Sequence, residues 1–174
     1  TKFSSHIHEY DAVIGIASKV EHLHSIHSEQ IPAKLGPTDP RLLPLLPQGL
    51  THTFSKSLFS MLTPEVTTKV TELGINHVIL LGIESHVCVL QTALDLLEKG
   101  IGVTVLKDAV SSVNRGEIEV ALEQMRNAGA AVSTSESVLF QLMGSAEHPG
   151  FRAIQALLKE TKEETQKALN VFCT

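Results

Sequence analysis

Tryptophan is absent from this chain and tyrosine occurs once, so aromatic residues make up only 4% of it. A protein that reads single-stranded nucleic acid by stacking bases on aromatic rings has little to draw on here. Positive charge is short as well, since 14 basic against 19 acidic residues leave a net charge of −5. These charges are scattered along the chain and give no footprint for nucleic acid or for an anionic membrane. The expected partner is a small molecule or a protein.

Cysteine is scarce. Cys88 and Cys173 lie far apart, which matches neither a secreted disulfide scaffold nor a paired Cys-x-x-Cys zinc site. A reducing, intracellular compartment follows as the default, with the cytoplasm expected and a mitochondrial address left open. No apolar run reaches the ~18 residues needed to span a bilayer. The opening Thr1-Lys2-Phe3 carries neither a signal-peptide core nor an initiator methionine, so the numbering is expected to begin part-way into a longer parent.

What is present suits one globular domain over residues 1–174, with 43% hydrophobic residues to build its core. From Asn76 onward a pattern repeats. Asn76 to Ile83, "NHVILLGI", is a continuous aliphatic run of the kind found in strands covered on both faces. "VCVLQTALDLLEKG" follows with Val87, Leu90, Leu94 and Leu97 at helical spacing and Gly100 placed to end the helix. Gly102 to Val110 reads as the next strand. Asn114 to Gly129 reads as a helix capped by Asn114 or a neighbour, and "AAVSTSES" as a short strand entering a helix from about Ser135 to Met143. "HPGFRAIQALLKETKEETQKALN" closes the chain as one further helix. Strands alternating with helices imply an α/β fold, a three-layer αβα sandwich around a mostly parallel, Rossmann-like sheet.

The first half reads differently. Val13, Ile16, Val20 and Leu23 have helical periodicity, while Pro32, Pro37, Pro40, Pro44 and Pro47 restrict the next stretch to loop and short turns. No strand is expected before Val78. An open sheet built only from the later strands would be small, so strands are expected to be missing, one at the start and one near residues 28 and 29.

Cys88 sits where a parallel strand ends and a helix begins. Ligands bind at that edge of open α/β sheets, and the free N–H groups of a helix start favour an anion such as a thiolate. Free cysteine is also among the most buried residue types. Position alone therefore leaves a nucleophile and a packed core cysteine as equal alternatives.

The surrounding string, Gly82-Ile83-Glu84-Ser85-His86-Val87-Cys88-Val89, resembles the nucleophile loop of the isochorismatase-like cysteine hydrolases, which include nicotinamidases and N-carbamoylsarcosine amidase. The likeness extends from about Phe3 to Lys159 and is nearest to the eukaryotic isochorismatase domain-containing proteins, a group also labelled ribonuclease-related. "FSKSLFSM" resembles the family's lysine segment and nominates Lys56, with Phe59 and Ser60 alongside. The resemblance implies a third catalytic group, an aspartate ending the first strand, whose place falls just before Thr1. It also implies an oxyanion hole made by the backbone N–H groups of Glu84 and Cys88, with a non-proline cis peptide between Ile83 and Glu84. Gln30, Phe59 and Ser85 become candidates for the substrate pocket, and the family's Glu-Gln-x-Pro loop corresponds to Glu29-Gln30-Ile31-Pro32.

What the resemblance implies chemically is nucleophilic catalysis at a carbonyl. Cys88 would attack a small amide or related acyl compound, Lys56 would stabilise charge, and water would hydrolyse the resulting thioester. Isochorismatase proper cleaves a vinyl ether without a nucleophilic thiol, so Cys88 favours the C–N hydrolases. The competing reading is a catalytically inactive binding or scaffolding protein of the same fold. Members of this fold associate, which makes a homo-oligomer the expectation.

Other features have plainer explanations. The nine histidines include His6-x-His8, His22-x-His24 and His27, of which only His24 and His27 would share a helical face. Without a carboxylate at ligand spacing they make weak metal ligands, and the Asp-x-His motif of the nicotinamidases is absent. No metal and no cofactor is expected. His86 would point away from the thiol toward a packing or substrate-edge role. Ser133 to Ser137 reads as helix capping with Glu136 in the first turn, Cys173 as an incidental thiol, and the charged C-terminal run as a solvated face.

Overall fold

The computed structural model describes residues 23–40, 42–47 and 49–172. The helical periodicity read between Val13 and Val20 lies outside them, as does Cys173.

Two groups of parallel strands organise the described chain. β1 (Ser25–Gln30) pairs with β2 (Thr51–Lys56), and β3 (His77–Ile83), β4 (Gly102–Ser111) and β5 (Ala131–Ser133) pair in that order. Between them run α1 (Pro32–Leu35), α2 (Pro64–Glu72), α3 (Leu90–Glu98), α4 (Gly116–Asn127), α5 (Ser135–Met143), α6 (Phe151–Glu160) and α7 (Lys162–Phe172). This is the α/β class expected from the alternating pattern.

The aliphatic run of β3 divides between two faces because successive side chains in a strand point to opposite sides. Leu80 and Val78 join Val103 and Val105 of β4 against Val89, Ala93 and Leu96 of the α3 segment and Ile118, Ala121, Leu122 and Met125 of α4. Leu81 and Ile79 turn the other way, toward Leu106 and toward Val138 of α5. Helices thus cover both faces of the sheet. Each fully buried aliphatic or methionine side chain contributes roughly 1.5–3 kcal/mol, and Leu80, Val105, Leu122 and Met125 are all at or below 1% exposure.

Two strands precede Val78, contrary to the expectation of none. β1 runs through residues 28 and 29, where a strand was expected to be missing. Its sequence, Ser-Ile-His-Ser-Glu-Gln, holds one aliphatic residue, yet Ser25, His27 and Ser28 are fully buried. Its register with β2 aligns Ser25 with Thr51 and Gln30 with Lys56. A polar network helps to hold it. The Thr38 hydroxyl and N–H both donate to Glu29 Oε1, at 2.6 and 2.8 Å. Since that hydroxyl has spent its hydrogen, His27 Nε2, 2.9 Å from Thr38 Oγ1, must be the donor there. His27 Nδ1 is then an unprotonated, buried atom with no partner.

Smaller differences have local causes. α4 has no side-chain cap, and Asn114 instead supplies its backbone carbonyl to Glu117 N–H. Thr134 caps α5, accepting from Ser137 N–H, and Asp108 accepts from Ser135 N–H and hydroxyl at the same helix start. The closing segment is two helices rather than one. The break falls at Thr161, whose hydroxyl turns back to the Leu157 carbonyl.

The two strand groups run in the same direction. Leu23 and His24, at the start of β1, and Ile75 and Asn76, at the start of β3, line one apolar cavity of about 310 Å³ with Met61, Val66, Val70 and Leu96. The opposite ends of the two groups meet at Lys56 and Cys88. Lys56 and Cys88 therefore meet at the C-terminal edge of the strands, while Thr92 and Met61 line the cavity behind them.

Candidate active site

The nucleophile candidate is delivered by β3. The strand ends at Ile83, the Ile83–Glu84 peptide is cis, and Ser85–Val89 form a turn of π-helix before α3 begins at Leu90. Cys88 therefore lies in a π turn, not in the first α-helical turn. π turns are rare and recur at functional sites. Val87 and Val89 both donate to the Glu84 carbonyl, at 3.1 and 3.2 Å, which closes the turn around the cysteine. Cys88 is buried, 3% exposed.

Lys56 arrives from the other strand group. It is the last residue of β2, and its register partner on β1 is Gln30. Only 5% exposed, its ammonium donates to Gln30 Oε1 and to the carbonyls of Leu58 and Phe59, at 3.1 and 3.0 Å. It also reaches Cys88 Sγ at 3.7 Å. A buried lysine needs such partners, because burial without them disfavours its charged form. Strand pairing and the 57–61 loop together aim the cation at the sulfur.

The strand end is tied to the last residue of β4 and the two that follow it by three contacts. Ser85 hydroxyl donates to the Ser111 carbonyl at 2.8 Å, Val113 N–H donates to Glu84 Oε2 at 2.7 Å, and His86 Nδ1 lies 2.9 Å from Ser112 Oγ. His86 is also 3.8 Å from Glu84 Oε2, so its ring is engaged away from the thiol. A bulge between β3 and β4 permits this meeting. Leu80 pairs with Val105 but Gly82 with Val110, which inserts extra residues in β4.

The pocket candidates divide. Gln30 is 8% exposed and holds Lys56, fixing its amide so that Oε1 accepts there while Nε2 donates to the Ser57 carbonyl at 3.0 Å. Ser85 is fully buried with its hydroxyl committed to the Ser111 carbonyl. Phe59 is 55% exposed and touches the site through its carbonyl. Thr92 was not singled out from the sequence, although its i+4 spacing from Cys88 is readable. Its hydroxyl donates to the Cys88 carbonyl and accepts from Met61 N–H.

The histidines do not form the helical pair read from their spacing. His27 lies within β1, and His24 precedes it, stacked on His52 with ring centroids 5.8 Å apart. Burial pushes the His27 pKa below its ordinary value, against the opposing pull of Glu29. Burial also lowers His52, helped by Lys69 and His24. Burial alone would raise Glu29, but its two bonds from Thr38 outweigh that and bring it below the usual carboxylate value. Among the described residues, no group of three or more His, Cys, Asp or Glu is placed to hold a metal ion. No helix among them is long and apolar enough to cross a membrane.

A family model described as "Isochorismatase domain" matches residues 3–137, well over half of the chain. This chain belongs to the isochorismatase family. Among its relatives, Isochorismatase family protein 1B of Dictyostelium discoideum is 37% identical over 173 residues, which cover 94% of this chain and 84% of that protein. Human Isochorismatase domain-containing protein 2 is 39% identical over 165 residues, covering 91% and 78%. Among solved structures, one titled "Structure of MAR1 Ribonuclease from Caenorhabditis elegans" superposes with a TM-score of 0.76 at 39% identity, covering 89% of this chain and 77% of that one. Family membership places the chain in a hydrolase family.

Proposed function

We propose that this isochorismatase-family protein is a cysteine hydrolase that cleaves a C–N bond of a small amide through a thioester. The observation that carries the reading is the buried Lys56 ammonium held 3.7 Å from Cys88 Sγ at the C-terminal edge of the strands. A cation there favours the thiolate, the form of cysteine that attacks carbonyl carbon.

The thiolate adds to the amide carbonyl, and the backbone N–H groups of Glu84 and Cys88 are assigned to the developing oxyanion. Collapse of the adduct breaks the C–N bond. The nitrogen departs with the proton that the thiol gave up, carried by the carboxylate that the family resemblance places before Thr1. Water then adds to the thioester, giving one proton back to that carboxylate, the C–S bond breaks, and the products are a carboxylic acid, an amine or ammonia, and the regenerated thiolate. Lys56, 3.7 Å from the sulfur, compensates negative charge there. The net charge of −5 and the scarcity of aromatic residues speak against an extended RNA substrate, so the ribonuclease name of the nematode neighbour is not carried over.

The test is a screen of small amides that follows amine release together with the intact mass of the protein. Turnover with an acyl adduct mapped to Cys88, both abolished by Cys88→Ser, is the expected result. Tight binding of a small molecule with neither turnover nor adduct would replace the enzyme by the non-catalytic binding reading.

A further inference from the structure

We infer that Thr92 is a positioning residue, one that holds the Cys88 turn and the Lys56 loop at their working separation. The inference rests on the reading of Cys88 and Lys56 as a functional pair and adds what sets their distance.

The two residues come from different strand groups, β3 for Cys88 and β2 for Lys56. A 3.7 Å approach between a long lysine chain and a cysteine needs something to fix the elements that carry them. The Thr92 hydroxyl does this from α3. It donates to the Cys88 carbonyl at 2.6 Å and accepts from Met61 N–H at 2.9 Å, with Thr92 only 2% and Met61 only 4% exposed. Met61 lies in the loop whose Leu58 and Phe59 carbonyls hold the Lys56 ammonium. One oxygen thus joins the backbone of the nucleophile to the loop that aims the cation.

A helical threonine often bonds the carbonyl four residues back without further purpose. The bond from Met61 separates this case from that one, because it spans 31 residues and links two elements. Hydroxyl chemistry also explains the residue type. Serine could replace it, whereas isosteric valine would lose the donor and the acceptor together and leave the Met61 N–H buried without a partner.

The experiment is alkylation of Cys88 by iodoacetamide at neutral pH, read by peptide mass. Thr92→Val should slow the reaction about sevenfold, the change that Coulomb's law at an effective dielectric of ~20 gives for an ammonium receding from 3.7 Å to about 5 Å. Thr92→Ser should restore the rate. General loosening acts in the opposite direction, since exposing a buried cysteine speeds its alkylation. A folded Thr92→Val protein that reacts as fast as the parent or faster overturns the inference, and so does failure of Thr92→Ser to rescue. If Thr92→Val does not fold, Thr92→Ala, with room for a water on Met61 N–H, carries the same expectation. Hydrogen exchange in the parent protein gives an independent reading, and a Met61 amide exchanging as fast as an exposed loop would refute the bond itself. A Lys56→Met control separates the two proposals. If it leaves the Cys88 rate unchanged, the functional pair fails. If it slows Cys88 while Thr92→Val does not, the role of Thr92 alone fails.

Discussion

Replacing Lys56 by methionine keeps most of the side-chain volume and removes the charge, so its effect on Cys88 can be worked from the geometry. Two unit charges 3.7 Å apart interact by about 4.5 kcal/mol at an effective dielectric of ~20. That figure is an upper bound for the thiolate, because the ammonium is shared with Gln30, Leu58 and Phe59. A loss of roughly 1.4–2.8 kcal/mol corresponds to a 10- to 100-fold smaller thiolate fraction at neutral pH. The Lys56→Met protein should therefore alkylate at Cys88 about 10 to 100 times more slowly than the parent. Three acceptors lose their donor in the same step, and a buried acceptor left unpaired costs about 1–3 kcal/mol, so a lower thermal midpoint should accompany the effect. Alkylation of Cys173 in the same sample corrects for reagent strength. Lys56→Met protein that keeps its circular dichroism and alkylates at Cys88 as fast as the parent would refute the electrostatic argument.

Two further expectations concern stability. Leu122, fully buried between α4 and the sheet, should cost about 2–5 kcal/mol when cut to alanine, and calorimetry showing less than ~1 kcal/mol would place it outside the core. Acidification should destabilise the fold through His27. Its folded pKa lies below the ordinary 6.5, so between those values the unfolded chain binds a proton that the folded one refuses, and stability present above pH 6.5 is lost as pH falls. His52 contributes with the same sign. Glu29, lowered from 4.5, loses its contribution only further down. His27→Gln should flatten the decline of thermal midpoint below pH 6.5, and an undiminished slope in that variant would count against His27.

The second half of the fold was legible because its strands are aliphatic and its helices amphipathic. A short strand, β5, falls within the stretch from Ala130 to Ser137 that the pattern marks, and α5 runs from Ser135 to Met143 as expected. β1 was not legible for a physical reason. Ser25, His27 and Ser28 are buried by their place in the sheet and not by their hydrophobicity, and the Thr38 network that supports them joins residues nine and eleven apart. No periodicity reports such a bond. The same division holds at the site. A cysteine just past a strand end could be read from Cys88 and its neighbours, but its role, like the choice of Lys56, depended on family resemblance, and Lys56 looked otherwise like a surface lysine. That Gln30 is its register partner across the β1–β2 pair, and that Thr92 bridges the two halves, required the fold.

The polarity of β1 bears on how this protein would aggregate. Segments that stack into dry fibrillar interfaces are β-prone, apolar and weakly charged, and Ser25 to Gln30 offers one aliphatic side chain, Ile26, among five polar ones. Val78 to Ile83 and Val103 to Leu106 carry that hazard instead. They are neighbours in one sheet, and β4 is enclosed by a strand on each side. Partial opening that frees β1 and β2 releases segments with little tendency to recruit another chain, whereas opening between β3 and β4 exposes the sticky pair. Self-association under stress should therefore track the integrity of the β3–β4 ladder.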